Sequence, residues 1–352
     1  MTRGLRARAG ALAALALARA ALADGAPPLV DPAAKRPVGA SASEYWDLVA
    51  SFEGGVCVTA RFTIFDEGAG RHSAAAFGHF LRSDAPPVAF QNGRRDGRWR
   101  LSPDGRRIEI GSSLLALSDT ARHFEVDNDK RGVKVFLDWS TDASAQSVPA
   151  SALPDSYAVD LLQLASPVRA SIQVGGMASP LRLSGTLSLT HTSMSVAEDE
   201  RVLRRTDVAS IDPDSGAYLL DLLDPAGKRF SWIFVRAEGA SALTRSGLDP
   251  RFESGGEKSG YPIASGLVID RGEVQGRIAV KPPRLEVDPL ATLPAPLRML
   301  YSLRRRPHRS WAESSYELSW VPGPEHPAVR VAGDAIATFS FLDALPPDEI
   351  RP

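Results

Sequence analysis

Cysteine is nearly absent from this chain, since Cys57 is the only one among 352 residues. An intramolecular disulfide is therefore excluded, and so is a zinc site built from several thiolates. Cys57 lies in the run 56–60, Val-Cys-Val-Thr-Ala, which is typical of a strand. We expect it to be a small packed side chain rather than a nucleophile. Without cross-links, the fold must be stabilised by its hydrophobic core.

The chain also lacks an excess of charge of either sign. It has 41 Lys and Arg against 42 Asp and Glu, a formal net charge of -1. Nucleic-acid-binding proteins usually show a clear basic excess, so we expect no nucleic-acid partner. After the N-terminal region, no apolar run reaches the roughly 20 residues that a membrane-spanning helix needs. No transmembrane segment is therefore expected.

The N-terminal region has the order of a secretory signal peptide. Three arginines at positions 3, 6 and 8 precede an apolar run over 9–18, and the triplet Ala21-Leu22-Ala23 stands before Asp24. Such a run is too short to span a bilayer. We expect residues 1–23 to be removed and the protein to be periplasmic or secreted. A short N-terminal helix of the folded domain is the alternative.

Motifs of several enzyme and cofactor classes are missing. The sequence contains no phosphate-binding loop, no dinucleotide-binding glycine motif, no Gly-x-Ser-x-Gly elbow and no His-Glu-x-x-His. Asp212 and Asp214 precede Gly216, but an EF-hand needs a third oxygen ligand before its Gly and a later Glu. We therefore expect neither a cofactor nor a metal ion.

Alternating apolar residues dominate the chain from about residue 44 and predict half-buried strands. The clearest runs cover 56–64, 133–139 and 181–189, the last with Gly185 as a gap that predicts a bulge or a close approach. A single short helix is predicted near 297–305. The pattern indicates roughly sixteen to twenty strands, enough for two barrels.

Turn residues separate these strands. The segments 102–105, 212–216 and 224–227 each place Pro before Gly between apolar runs, which predicts hairpin tips. We expect a linker over 24–43, an N-terminal β-sandwich or barrel domain over 44–200 and a C-terminal lipocalin-like barrel domain over 201–352.

Four segments carry a family resemblance. They are Glu44-Tyr45-Trp46-Asp47, Gly78-His79, the stretch 185–192, and Gly216-Ala217-Tyr218 leading to Trp232. In this order they resemble the lipocalin-related superfamily of the AttH, survival-factor and carotenoid 1,2-hydratase proteins, which fungal lipocalin-like Diels–Alderases resemble too.

The resemblance implies an all-β fold of two consecutive lipocalin-like β-sandwich or barrel domains with little helix. It also implies an apolar ligand near the junction of the two domains. The carotenoid hydratases are similar in having an acidic residue beside the equivalent of His191 and an aromatic residue soon after. Thr190 and Ser193 stand at those places here, a departure from the hydratase pattern.

Six residues are candidates for a site. The catalytic candidates are His191 and Asp207, and the ligand-binding candidates are Trp46, His79, Tyr218 and Trp232. His191 continues the odd-numbered phase of Leu187 and Leu189, so it should point inward with them. If His79 lined the same cavity, a neutral imidazole could position or protonate a ligand. The competing interpretations are structural histidines and aromatic side chains that fill a core.

Acid catalysis on an alkene needs a carboxyl group in a desolvated pocket. Asp47, Glu198, Asp199 and Asp207 are possible acids, and Asp207 is preferred because it follows Val202 and Leu203 in a predicted strand. A solvated hairpin carboxylate is the alternative. The basic run over 304–309 could meet anionic lipid headgroups in a peripheral membrane contact or a ligand phosphate, or be a solvated loop.

Two functions of different classes follow. The first is an exported lipocalin-like protein that binds a hydrophobic small molecule, a lipid or isoprenoid, near the domain junction. The alternative is a cofactor-independent hydratase, cyclase or isomerase that acts on an isoprenoid or polyene by acid catalysis. A carboxylate within hydrogen-bond reach of His191 or His79 in a pocket would favour the enzyme. A third possibility is a cell-envelope module with filled barrels.

Overall fold

The computed structural model describes residues 30–39, 41–68, 70–128, 132–141, 145–237, 242–258, 260–292, 306–321 and 327–343. Strands account for 66% of these residues and helices for 4%, so the predicted all-β class is confirmed. The chain divides into two compact units, 1–31 and 32–352, and every described strand belongs to the second. The predicted signal peptide and the predicted helix at 297–305 lie outside the described residues.

The first half of the chain forms one curled antiparallel sheet. Its strands run in the order β4-β3-β2-β1-β12-β11-β9-β8-β7-β6-β5, with β10 beside β11. They are β1 (Ser43–Phe52), β2 (Val56–Gly68), β3 (Arg71–Arg82), β4 (Ala85–Arg94), β5 (Arg100–Leu101), β6 (Arg107–Ile110), β7 (Ser113–Leu117), β8 (Ala121–Asn128), β9 (Val133–Ser140), β10 (Gln146–Ser147), β11 (Tyr157–Val174) and β12 (Leu181–Met194).

The second half forms another curled antiparallel sheet, in the order β16-β15-β14-β13-β22-β21-β19-β18-β17, with β20 beside β21. Its strands are β13 (Arg204–Ser210), β14 (Gly216–Leu223), β15 (Arg229–Arg236), β16 (Leu243–Ser246), β17 (Arg251–Lys258), β18 (Tyr261–Ile269), β19 (Val274–Val280), β20 (Leu285–Val287), β21 (His308–Trp320) and β22 (Val329–Phe341). The described residues thus contain 22 strands, slightly more than the sequence pattern indicated. Within them, no helix combines the length and the hydropathy that a bilayer crossing requires.

The three predicted hairpin tips lie where the sequence placed them. Residues 102–105 join β5 to β6, 212–216 join β13 to β14, and 224–227 join β14 to β15. Gly105 and Gly227 have φ of 72° and 80°, a conformation that costs glycine little. Pro followed by Gly was therefore a sound turn signal in this chain.

Each sheet encloses a core on its inner face, and the outer faces of their central strands pack against each other. In β1, Trp46 and Leu48 face the inside of the first sheet, while Tyr45 belongs to the cluster shared with the second sheet. The shared apolar cluster includes Val159 and Leu161 of β11. Because both faces are covered, β12 is buried from 187 to 194 and β14 along its whole length.

Two sequence predictions concern single residues of the first sheet. Cys57 is buried and free, and burial raises the pKa of its thiol to about 12. Gly185 marks a close approach between strands, because a Cβ atom there would lie 2.1 Å from the carbonyl oxygen of Ser51 on β1. Only glycine leaves that backbone contact undistorted.

We expect Gly185→Ala to lower the free energy of unfolding by roughly 1–3 kcal/mol, because the added methyl group meets backbone that cannot move aside freely. Gly93→Ala on β4 is the matched control, since a Cβ atom there has no neighbour within 4 Å. Urea unfolding of both variants measures the difference. Equal stability of the two variants would contradict the close approach.

Candidate functional site

Trp46 and His191 form one buried pair inside the first sheet. They are cross-strand partners on β1 and β12, and their rings stack with centroids 4.3 Å apart and an interplanar angle of 5°. Nε2 of His191 lies 3.1 Å from Oε2 of Glu44, and both side chains are fully buried. The predicted inward direction of His191 is correct, and its partner Glu44 was missed. Glu44 lies two residues before Trp46 and on the same face of β1. The alternation of side chains along a strand could therefore have placed Glu44 beside His191.

The segment before β1 covers this pair. The backbone amides of Lys35 and Arg36 donate to the Glu44 carboxylate at 2.8 and 2.9 Å, and the Trp46 indole donates to the carbonyl of Pro32 at 3.3 Å. Trp46 and His191 are each 1% exposed. A carboxylate beside His191 would favour an enzyme, and Glu44 provides one. This carboxylate is enclosed by packed protein, however, and does not lie beside an open pocket.

Asp207, Tyr218 and Trp232 lie on the second sheet and face the junction. The Tyr218 hydroxyl donates to Asp207 Oδ1 at 2.5 Å, and the ring of Trp232 lies 6.0 Å from that of Tyr218. His191 and Thr192 point to opposite faces of β12, and Thr192 contacts the junction. The structure therefore separates His191 from Asp207 by the thickness of the first sheet.

Arg205 is the centre of a buried polar network that joins the two sheets. It is 1% exposed. Two of its nitrogens donate to the Asp207 carboxylate at 2.8 Å each, and Nη1 donates to the hydroxyls of Tyr45, Tyr157 and Thr192 at 2.9, 3.1 and 2.8 Å. One guanidinium from β13 thus binds three side chains of the first sheet.

Two tyrosine hydroxyls continue the network to a carboxylate. Tyr45 and Tyr157 both donate to Glu198 Oε1, Tyr157 at 2.8 Å. Burial raises the pKa of both hydroxyls well above the ordinary tyrosine value. Both hydroxyls are therefore neutral donors near pH 7. The network is a set of hydrogen bonds and charges that links the two sheets, and its tyrosines do not serve as acids.

A second ion cluster at the junction involves Asp47. Its carboxylate accepts from Arg61 at 2.7 and 2.5 Å and lies 3.0 Å from Nη2 of Arg309 on β21. Burial opposes ionisation of Asp47, but the positive charges of Arg309 and Arg61 outweigh it and hold the pKa of the carboxyl well below its usual range. Asp47 is thus unsuited to protonating a ligand.

Arg309 differs from the rest of the basic run at 304–309 as the sequence was interpreted. Arg309 is buried in this junction cluster, and His308 stacks on Tyr261 with centroids 4.5 Å apart. Because the run leads directly into β21, its last arginine lies inside the protein rather than in a solvated loop. Arg304 and Arg305 lie outside the described residues.

Small cavities adjoin the predicted residues at the junction. A space of about 30 Å³ is lined by Asp207 and Tyr218, and one of about 10 Å³ by His79, whose ring lies 6.1 Å from that of Trp311. Roughly 10–15 Å³ of such space is the least that holds one water molecule, so these spaces suit water rather than a lipid. A groove of about 480 Å³ has a mixed lining of apolar and charged residues from both halves of the chain, including Asp155, Glu200 and Phe230.

A cavity of about 290 Å³ lies at one end of the second sheet, inside its curl. Its apolar wall comprises Leu223, Phe252, Ile263, Ala264, Phe339 and Phe341. Arg204 and Arg229 also line it, whereas the six residues predicted from the sequence do not. Sequence reasoning missed these arginines because arginine is abundant in the chain. The available signal was an inward position of Arg204, four residues before the core residue Val208.

We expect Arg205→Met to lower the free energy of unfolding by about 3–5 kcal/mol, because it leaves Asp207 partly buried without its cation. Arg107→Met is the matched control: Arg107 also pairs with a carboxylate two residues on, Glu109, but is largely exposed. The control should cost less than about 1 kcal/mol. Chemical unfolding measures both variants, and similar costs would show that the junction network adds no stability.

Acid should weaken the fold through Asp47. Its carboxyl pKa is lower in the folded than in the unfolded chain, so its stabilisation is present above the unfolded value of about 4 and is lost as the pH falls below it. Asp47→Asn should therefore reduce stability at pH 7 and flatten its decline at acid pH. Asp119→Asn, at an exposed ion pair with Arg106, should keep the wild-type pH slope. Urea unfolding across pH measures both, and an unchanged slope in Asp47→Asn would contradict the assignment.

No protein-family model matches the sequence, and no curated protein matches it significantly. Solved structures match its fold. An AttH protein of Nitrosomonas europaea superposes with a TM-score of 0.62 at 11% identity, over 89% of this chain and 99% of that one.

Two further structures match. Kievitone hydratase from Nectria haematococca has a TM-score of 0.50 at 8% identity, over 90% of this chain and 94% of that one. CghA in complex with Sch210972 has a TM-score of 0.58 at 11% identity, over 92% and 98%. At these identities the likeness concerns architecture. The chain therefore has the lipocalin-related fold of the AttH, kievitone hydratase and CghA proteins, in agreement with the resemblance in its sequence.

Proposed function

We propose that this protein binds a hydrophobic small molecule, a lipid or an isoprenoid, in the cavity at the end of the second sheet. The observation that carries the proposal is the cavity of about 290 Å³ with its apolar wall. Its volume is near the lower end of the range for small-molecule sites, roughly 300–1,000 Å³, which are typically apolar with a few polar groups.

The position of the proposed site departs from the expected one. The resemblance implied a ligand near the junction, but the spaces beside Asp207, Tyr218 and His79 have room for water alone. In the second sheet, by contrast, Phe252 and Ala264 border open volume. The curl of a lipocalin-like sheet is also where a ligand is commonly enclosed.

The fold neighbours are compatible with this role. CghA was solved with a bound small molecule, Sch210972. The similarity to this chain is one of fold, so it supports the capacity of the architecture to hold a ligand and leaves the ligand's identity to experiment.

Acid catalysis on a polyene is the second candidate. It is favoured by Asp207, which accepts from Tyr218 beside a water-sized cavity, and by the fold neighbour kievitone hydratase. Against it, Arg205 neutralises Asp207, and His191 with Glu44 is sealed from solvent. Binding without turnover is therefore the better-supported function.

We expect Ala264→Trp to weaken binding of the uncharged dye Nile red by roughly tenfold or more, because the indole takes the volume that the dye needs. Ala332→Trp is the matched control, since Ala332 is exposed on β22. Fluorescence titration measures affinity, and circular dichroism checks that both variants are folded. Equal affinity of the two variants would place the dye elsewhere.

Organic extraction of protein purified from its own host, followed by mass spectrometry, identifies what it carries. A protein that is reproducibly empty and that does not bind Nile red would refute the proposal. Returning the extracted compound to stripped protein separates the two candidate functions: a mass gain of one water, or an altered retention time at unchanged mass, would reveal an enzyme, whereas an unchanged compound would indicate a carrier.

A further inference from the structure

We infer that the cavity at the end of the second sheet continues past Phe341 into a second chamber, and that the ligand is an elongated molecule that reaches both. The inference rests on the proposed binding of a hydrophobic small molecule and adds its shape: a linear apolar chain is favoured over a compact ring system. Three features carry it: a wall that the two spaces share, the register of the strands that form it, and the apolar contacts that hold its rings.

The second chamber is a space of about 10 Å³ inside the same curl. Its lining includes Glu286 and His308, whereas Arg204 and Phe252 line the larger cavity of about 290 Å³. Five residues of β18 and β22 line both spaces: Pro262, Ile263, Ala264, Phe339 and Phe341. Residues that line two spaces lie between them, so one layer of side chains separates the chambers.

The strand register places Phe341 between the two chambers. Phe341 pairs with Arg204 on β13 and with His308 on β21, so the three residues form one row across adjacent strands. Arg204 lines the larger cavity and His308 the second chamber. Adjacent strands lie about 5 Å apart, so a path of about 10 Å leads from Arg204 to His308 across a single phenyl ring.

Apolar contacts hold the phenyl rings of this wall. The Phe341 ring lies 5.3 Å from that of Tyr261 and 6.3 Å from that of His308. The Phe339 ring lies 6.4 Å from that of Phe252. Aromatic contacts of this kind are weak, and a phenylalanine side chain can change rotamer, so a ligand chain that makes equivalent contacts can take their place. A chain that displaces the Phe341 ring joins the two chambers.

The far end of the second chamber lies near the protein surface. Lys258 and Glu286 both line it and pair at 3.0 Å, and the Lys258 side chain is 59% exposed. A route through both chambers therefore crosses the curl and ends close to solvent. Such a route suits a linear chain, whereas a compact ring system would be confined to the larger cavity. That cavity alone is just below the roughly 300–1,000 Å³ of typical small-molecule sites.

Displacement of Nile red by octanol and by hexadecanol, each delivered from cyclodextrin, tests the inference, because these uncharged probes differ in length alone. Pro283 lines the second chamber, whereas the neighbouring Pro282 is exposed. We expect Pro283→Phe to weaken hexadecanol binding roughly tenfold or more, because the ring fills the second chamber, and to leave octanol binding unchanged. Pro282→Phe is the matched control and should bind both probes as the wild-type protein does.

Nuclear magnetic resonance of the histidine rings supplies a second measurement, made on the wild-type protein. Hexadecanol should shift the ring signals of His308, which the variant His308→Gln assigns. Octanol should leave them unchanged, because it stays in the larger cavity. The signals of His123, which lies on β8 of the first sheet, should not move with either probe. The His308 signals decide the question should Pro283→Phe not fold.

The outcomes separate the two proposals. If Pro283→Phe binds hexadecanol as tightly as the wild-type protein does and the His308 signals stay in place, the ligand is confined to the larger cavity. The inference is then wrong and the binding function stands. If Nile red and both alcohols fail to bind wild-type protein, the proposed function fails and the inference fails with it.

Discussion

The buried guanidinium of Arg205 is the interaction on which the arrangement of the two sheets depends. It lies between the outer faces of the central strands, where water is excluded and every polar group needs a partner. Tyr45, Tyr157 and Thr192 come from one sheet and Asp207 from the other. Because hydrogen bonds are directional, the three contacts that cross between the sheets select one packing of the two surfaces, while Asp207 on the same strand orients the guanidinium.

The need of buried polar groups for partners also determines where a ligand can be held. At the junction, three arginines meet the carboxylates of Asp47 and Asp207 in tightly packed clusters. These ion pairs occupy the junction, so the spaces beside the predicted residues hold only water molecules. Open volume remains at the end of the second sheet, where Phe252 and Phe339 line a cavity that the core does not fill.

The two polar clusters away from the junction differ in a way that bears on function. Glu44 lies within hydrogen-bond distance of His191 and accepts from the backbone amides of Lys35 and Arg36, whereas Nδ1 of His191 is buried without a hydrogen-bond partner among the described residues. Arg204 and Arg229 share one aspartate and border empty space. An enclosed cluster stabilises a fold, whereas one that borders a cavity can contact a ligand. Architecture alone does not distinguish these roles, since one fold can carry many sites.

Local alternation in the sequence determined the strands and the inward direction of His191 beside Leu189, and Pro followed by Gly determined the hairpin tips at 102–105 and 224–227. These features depend on residues close together in the chain, because side chains alternate between faces with a period of two. Only the tertiary structure decided which distant residues meet. Glu44 lies opposite a strand more than a hundred residues away, and Arg309 is buried although it ends a basic run. Arg204 and Arg229 reach the same aspartate because β13, β14 and β15 pair in one register. That register is set by long-range packing of whole sheets, which no local pattern encodes.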